Sequence, residues 1–309
     1  MKLRVGTRGS LLAVRQTLEV IEEIKKIFPE IEFEVVRIKT KGDIMKSSIR
    51  EIGSPGIFTK EIDIELMKGS IDLAIHSLKD YPTKTPEDLV IAAIPRRRSR
   101  RDAIIPKSHG SLEAIHSGAI IGTGSLRRAS HILYHRKDLN VKAIRGNIDT
   151  RIRKIGVEVD AVVLAEAGLQ RIGYNDYEPL SPYIITPQAG QGALAVVARK
   201  GSEAAKIASM IDDPISRIET SIERGFISAL KAGCRAPVGV TAEAGDNGIT
   251  VIVSLVSPDY ISRIYFEERY QGLGVDEIVN KIFKRFEREG GLELVEEWSR
   301  KASGGSEEE

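Results

Sequence analysis

The chain holds one cysteine, Cys234, between Gly233 and Arg235 in a turn-rich run closed by Pro237 and Gly239. A solitary thiol is either a small buried hydrophobe or a point of covalent attachment. What bears on the choice is a set of arginines in one kind of position. Arg8, Arg127, Arg128, Arg145, Arg151 and Arg171 all lie in or soon after stretches that leave a strand and enter a helix. A guanidinium takes a carboxylate through two parallel N–H bonds, and a charge-assisted bond contributes about 1.5–3 kcal/mol. Any one of the six reads as a surface salt bridge. Together they imply a polycarboxylate ligand, since no P-loop accompanies them for phosphate. Asp80 is the acidic candidate, following His76-Ser77-Leu78-Lys79 at the end of the apolar run Ile71–Ile75. Among arginines its carboxylate stays ionised, suited to stabilising a developing cation rather than donating a proton. It fits equally the start of a turn with Tyr81-Pro82. Spacing leaves both open.

The elements that must position these residues repeat. Val5-Gly6-Thr7-Arg8-Gly9-Ser10-Leu11 and Ile121-Gly122-Thr123-Gly124-Ser125-Leu126-Arg127-Arg128 each run strand, Gly-Thr turn, serine, helix. Free N–H groups at a helix start bind anions, with Ser10, Thr123 and Ser125 adding hydroxyls. Helix capping alone requires the serines but not the arginines. Leu11, Val14, Leu18, Ile21, Ile24 and Phe28 are spaced as one buried helical face. Strands and helices alternate to about residue 212, the pattern of an α/β fold with parallel sheets. One anion loop in each half points to two lobes facing a cleft at the C-terminal ends of their strands. The expected division is lobe 1 at 1–95 and 192–212, lobe 2 at 96–191, and a small α+β domain at 213–302 carrying the cysteine. A disordered tail, 303–309, follows.

Composition narrows the functional classes. The 309 residues are 41% hydrophobic, enough for a substantial core, and 5% aromatic, too few for a platform that stacks bases. With 46 basic and 44 acidic residues the net charge is +2, so no global field draws the protein to nucleic acid or membrane. The dense basic run Arg96–Arg101 has no interleaved aromatics and reads as a domain crossover. One cysteine forms no internal disulfide, which suits a reducing compartment. No stretch reads as a signal peptide or reaches membrane-spanning length. The expectation is a cytoplasmic monomer acting on a small molecule, with no metal, since no His/Cys ligand cluster is present.

Five motifs occur in order: His76-Ser77-Leu78-Lys79-Asp80, Gly122–Arg128, Arg145-Gly146-Asn147 with Thr150-Arg151, Gln188-Ala189-Gly190-Gln191-Gly192, and Gly233-Cys234-Arg235-Ala236-Pro237. Together they closely resemble hydroxymethylbilane synthase, also called porphobilinogen deaminase, over about residues 3 to 244. The resemblance implies two periplasmic-binding-protein-like lobes plus a small α+β C-terminal domain. It implies a transferase of porphyrin (heme) biosynthesis that joins four porphobilinogen molecules, with loss of ammonia, into a linear tetrapyrrole. It implies a dipyrromethane cofactor bound by a thioether to Cys234, and Asp80 as the catalytic residue. By the same match Lys79, Thr123, Ser125, Arg127, Arg128, Arg151 and Arg171 bind the cofactor. Arg8, Ser10, Arg145, Arg151, Phe58 and Gln191 lie on the substrate side. Two departures stand out. The loop before Phe58 reads Arg50–Gly56 where bacterial members often carry lysines, leaving Lys46 or Arg50 to supply the cation. Gly124 stands where many members have serine.

Overall fold

The computed structural model describes residues 1–40, 59–108, 110–230 and 236–304, the side chains of 302–304 excepted. They fall into two compact units. The first is Met1–Arg98 with Gly190–Ile218; the second is Ser99–Ala189 with Glu219 onward.

The first unit opens with β1 (Lys2–Thr7), α1 (Leu11–Ile27) and β2 (Glu32–Arg37), then α2 (Lys60–Met67), β3 (Leu73–Ser77), a 3-10 turn (Leu78–Asp80) and β4 (Leu89–Ala93). The second unit supplies β5 (Asp102–Pro106), β6 (Ile120–Gly122), α3 (Leu126–His135), β7 (Asn140–Lys142), α4 (Ile148–Ile152), β8 (Ala161–Ala165), α5 (Glu166–Ile172) and β9 (Glu178–Pro179). The chain then returns to the first unit with β10 (Leu194–Arg199) and α6 (Glu203–Ser209), and α7 (Pro214–Ala229) leads out of it. The last domain is β11 (Gly239–Gly245), β12 (Gly248–Val256), β13 (Arg263–Tyr270), α8 (Val275–Arg288) and α9 (Gly291–Gly304).

Each of the first two sheets has five strands, in the orders β2-β1-β3-β10-β4 and β7-β6-β8-β5-β9. Each of the two units thus carries one five-stranded sheet, with a three-stranded meander, β11-β12-β13, as the small domain. The expectation of parallel sheets needs correcting. β10 runs antiparallel to both β3 and β4, and β5 runs antiparallel to both β8 and β9. These are the strands that follow the two crossings between units. Each enters its sheet at the edge where the parallel strands end, so it must run backwards. The sequence reading assigned no element to 102–106, and the reversed β5 lies there.

Burial follows the apolar pattern with one shift. In α1 the buried positions are Gln16, Thr17, Val20, Ile21 and Ile24, whereas Leu11 and Leu18 are exposed. The buried face is rotated because its polar members are bonded. Gln16 Nε2 donates to Ser77 Oγ at 2.8 Å, and Thr17 Oγ1 donates to Ala13 O at 3.0 Å. The small domain packs Phe226 of α7 edge-on to Phe286 of α8, centroids 5.4 Å apart. Burying one such ring contributes about 1.5–3 kcal/mol. α9 runs through Gly304, into the stretch expected to be a disordered tail; 305–309 lie outside the described residues.

Candidate active site

Two clusters carry the residues singled out above, one in each unit. In the first unit β3 is buried through His76 and then tightens into the 3-10 turn. The tightening drives Leu78 into the core and leaves Asp80 exposed. The Asp80 carboxylate makes no hydrogen bond or ion pair within the described residues. Beneath it the His76 ring stacks on Tyr81 at 5.1 Å, with Nε2 3.4 Å from Asp63 Oδ1.

The turn before β10 braces this segment. Lys79 Nζ donates to Gln191 Oε1 at 3.2 Å, Arg97 Nε donates to Gln191 O at 2.8 Å, and Leu78 N donates to Ala193 O. Gln191 is fully buried. Gly190 has φ +73°, and a Cβ there would lie 3.1 Å from Lys79 N. An L side chain fits neither the backbone angle nor the space. Arg8 and Ser10 follow β1, the parallel neighbour of β3, and so share this edge with Asp80. Ser10 Oγ caps α1 by accepting from Ala13 N at 3.3 Å.

In the second unit, β6, β7 and β8 are parallel and end at one edge. The loop after β6 is internally bonded. Thr123 Oγ1 accepts from Ser125 N at 3.2 Å, and Ser125 Oγ accepts from Arg128 N at 3.4 Å to cap α3. Both hydroxyls thereby build the loop and keep their own hydrogens to donate. At Gly124 a Cβ would stand 2.9 Å from Ile144 O, so this loop has no room for a side chain there.

The arginines prove unequal. Arg127 and Arg128 are 5% and 6% exposed, and both pair with Asp102, which is fully buried. Arg128 sets Nε and Nη2 against Asp102 Oδ1 at 2.9 and 2.8 Å and gives Nη1 to Val163 O. Arg127 spends only Nη1, on Asp102 Oδ2 at 2.8 Å and Thr186 O at 2.6 Å. Its Nε and Nη2 have no hydrogen-bond partner among the described residues. Burial pushes the Arg127 pKa down; the Asp102 carboxylate opposes the fall and the Arg128 charge adds to it. Arg171 is also buried, on α5. Arg151 is half-buried and gives Nε to Gly146 O at 2.8 Å, while Arg145 is exposed in the same loop.

The crossover arginines serve their own units. Arg98 pairs with Glu19, Arg100 with Glu219 and Arg101 with Glu166. Sequence reasoning missed Asp102. Its signal is a carboxylate placed directly after that run, in a chain with several arginines to neutralise. It also missed His131, which is fully buried on α3. His131 Nδ1 lies 2.8 Å from Arg127 O and Nε2 lies 3.1 Å from Ser254 Oγ. A carbonyl only accepts, so Nδ1 carries the proton and Nε2 accepts from the Ser254 hydroxyl. Phe58, the loop before it with Lys46 and Arg50, and Cys234 lie outside the described residues. Among the described residues no three His, Cys, Asp or Glu side chains gather as a metal site, and no helix is long and apolar enough to cross a membrane.

Most of the chain is similar to proteins of one family. A family model described as "Porphobilinogen deaminase, dipyromethane cofactor binding domain" matches residues 3–207, and one described as "Porphobilinogen deaminase, C-terminal domain" matches residues 218–285. The porphobilinogen deaminase of Bacillus velezensis is 40% identical over 301 residues, covering 95% of this chain and 96% of that one. That of Natranaerobius thermophilus is 44% identical over 265 residues, covering 84% and 85%. Among solved structures, the methionine binding protein MetQ shows 13% identity and a TM-score of 0.42, over 74% of this chain and 94% of that one.

Proposed function

Because this chain belongs to the porphobilinogen deaminase family, we propose that it condenses four porphobilinogen molecules head to tail, with loss of ammonia, and releases hydroxymethylbilane. The dipyrromethane group of the family supplies the covalent primer on which the pyrroles are joined, and we assign its thioether to Cys234. The residues present fit such a group. It carries four carboxylates, and the second unit offers a guanidinium that is nine-tenths buried yet keeps its Nε–Nη2 edge unpartnered among the described residues. That edge is the geometry that grips a carboxylate through two bonds. This is the observation that carries the reading.

Lys79, Thr123, Ser125, Arg127, Arg151 and Arg171 are assigned to the cofactor's acetate and propionate groups, whereas Arg128, whose Nε and Nη2 go to Asp102 and Nη1 to Val163 O, is assigned to holding the site together. Arg8, Ser10, Arg145 and Arg151 are assigned to the incoming substrate, with Phe58 and Gln191 beside them. Asp80 is assigned the catalytic role. As ammonia leaves porphobilinogen, positive charge develops on the pyrrole, and a fixed carboxylate stabilises it electrostatically. The exposed Asp80 carboxylate, unpaired among the described residues and on a turn braced by buried Gln191, suits that task. We further propose a cytoplasmic monomer of three domains, lobe 1 at 1–95 and 192–212, lobe 2 at 96–191, and 213–302 carrying the cysteine.

Intact-protein mass is the test. After incubation with porphobilinogen the chain is expected to carry two pyrrole units and to release a linear tetrapyrrole. A chain that stays at its polypeptide mass and leaves porphobilinogen unconsumed overturns the reading. It would favour a two-lobed protein that binds anions without chemistry.

A further inference from the structure

Two guanidiniums held side by side repel each other, and burial magnifies the repulsion because water no longer screens it. Arg127 and Arg128 are adjacent on the first turn of α3 and both are nearly fully buried. The group that makes this tenable is the fully buried Asp102, the first residue of β5. It stands opposite Ala165, the last residue of β8, so it enters at the sheet edge where the ligand-facing loops emerge. Its oxygens divide the work. Oδ1 takes Nε and Nη2 of Arg128, the whole fork edge of that residue, and Oδ2 takes one Nη1 hydrogen of Arg127. Thr186 O takes Nη1 of Arg127 as well. Among the described residues Arg127 is therefore fixed from one side only, and its own fork edge remains intact.

We propose that Asp102 is a positioning residue, which clamps Arg128 through its fork edge and turns Arg127 so that its free Nε–Nη2 edge receives a carboxylate of the bound pyrroles. The inference rests on the functional reading above. It adds that the two neighbouring arginines differ in role, and that a carboxylate which touches no ligand sets the difference. Asparagine at 102 keeps one acceptor and replaces the other with a donor, so one guanidinium must lose its partner. Glutamate keeps the charge and the acceptors but shifts both oxygens by one methylene.

The test uses the full-length protein, porphobilinogen as probe, and intact mass to follow pyrrole uptake over time. Asp102→Asn and Asp102→Glu are compared with Glu223→Gln. Glu223 is another fully buried carboxylate, on α7, where it accepts from Ala242 N and the Thr241 hydroxyl. All are melted in parallel. Both Asp102 variants are expected to take up pyrroles at least tenfold more slowly than the wild type, while Glu223→Gln stays within twofold at a comparable loss of melting temperature. Asp102→Glu keeps the charges balanced, so it decides the matter if Asp102→Asn does not fold. Wild-type uptake in a folded Asp102 variant overturns the proposal, as does a slowing that Glu223→Gln shares at equal melting loss. A wild type that itself takes up no pyrrole overturns the functional reading, and this proposal with it.

Discussion

At the scale of single residues, exposure separates chemistry from support. Asp80 is exposed and unpaired among the described residues, so replacing it should leave the fold intact. Asp80→Asn is expected to keep its melting temperature within about 1 °C and to lose 10²-fold or more in kcat, the usual loss when a fixed electrostatic group is removed. Retained turnover in a steady-state assay would remove the assignment. Cys234→Ala is expected to show the bare polypeptide mass under denaturing conditions; an adduct of two pyrroles on that variant would move the tether elsewhere. Asp80 was visible in the sequence as a carboxylate at the end of an apolar run, though spacing could not separate a turn former from a charge stabiliser. The arginines were visible as a group but not individually. Whether a guanidinium faces a ligand or an internal carboxylate depends on what lies across the sheet edge. Asp102 reaches Arg127 and Arg128 from 25 and 26 residues away.

At the scale of elements, two glycines make the local backbone legible in retrospect. Gly190 brings the crossover turn against Lys79 with φ +73°. Gly190→Ala is expected to cost about 1–3 kcal/mol from backbone strain, read as a lower urea midpoint with an unchanged slope. Gly124→Ser would set a Cβ 2.9 Å from the Ile144 carbonyl oxygen, which leaves no space for it. It should lower the melting temperature and slow pyrrole uptake; a gain in either would mean that the loop can open. The strand–turn–helix runs of β1 with α1 and β6 with α3, and the apolar run of β3, followed from residue type and spacing, whereas α5 and α6 did not. The reversed strands did not, because strand direction is set by where the chain re-enters a sheet, and residue type carries no record of it. The face of α1 was misjudged for a related reason. Gln16 and Thr17 are buried by virtue of partners on Ser77 and Ala13, which an apolar count cannot see.

At the scale of the whole molecule, α3 is tied to the small domain by a polar chain within the second unit. Arg263 Nε donates to Ser254 Oγ at 2.7 Å, Ser254 donates to His131, and His131 donates to Arg127 O. Burial first, then the charges of Arg263 and Arg127, push the His131 pKa down to about 3. An unfolded histidine titrates near 6.5. Above that pH neither state binds the proton and the full stability is present. Between about 6.5 and 3 only the unfolded state binds it, so stability falls with pH by up to about 1.4 kcal/mol per unit. His131→Gln should shrink the loss between pH 7 and 5 by about 2 kcal/mol, measured from urea midpoints; parallel pH profiles would show that this histidine is not responsible. The order of the first sheet carries a consequence of another kind, in the time course of synthesis. β10 lies between β3 and β4, yet about a hundred residues separate Ala93 from Leu194 along the chain. At roughly 5–20 residues per second, a ribosome leaves β3 and β4 without their shared neighbour for roughly 5 to 20 seconds. The second sheet needs nothing beyond Pro179 and is complete before the first can close. The part of the chain made first is thus the part that finishes folding later. During that interval its two open strand edges are where a nascent-chain chaperone has most to shield.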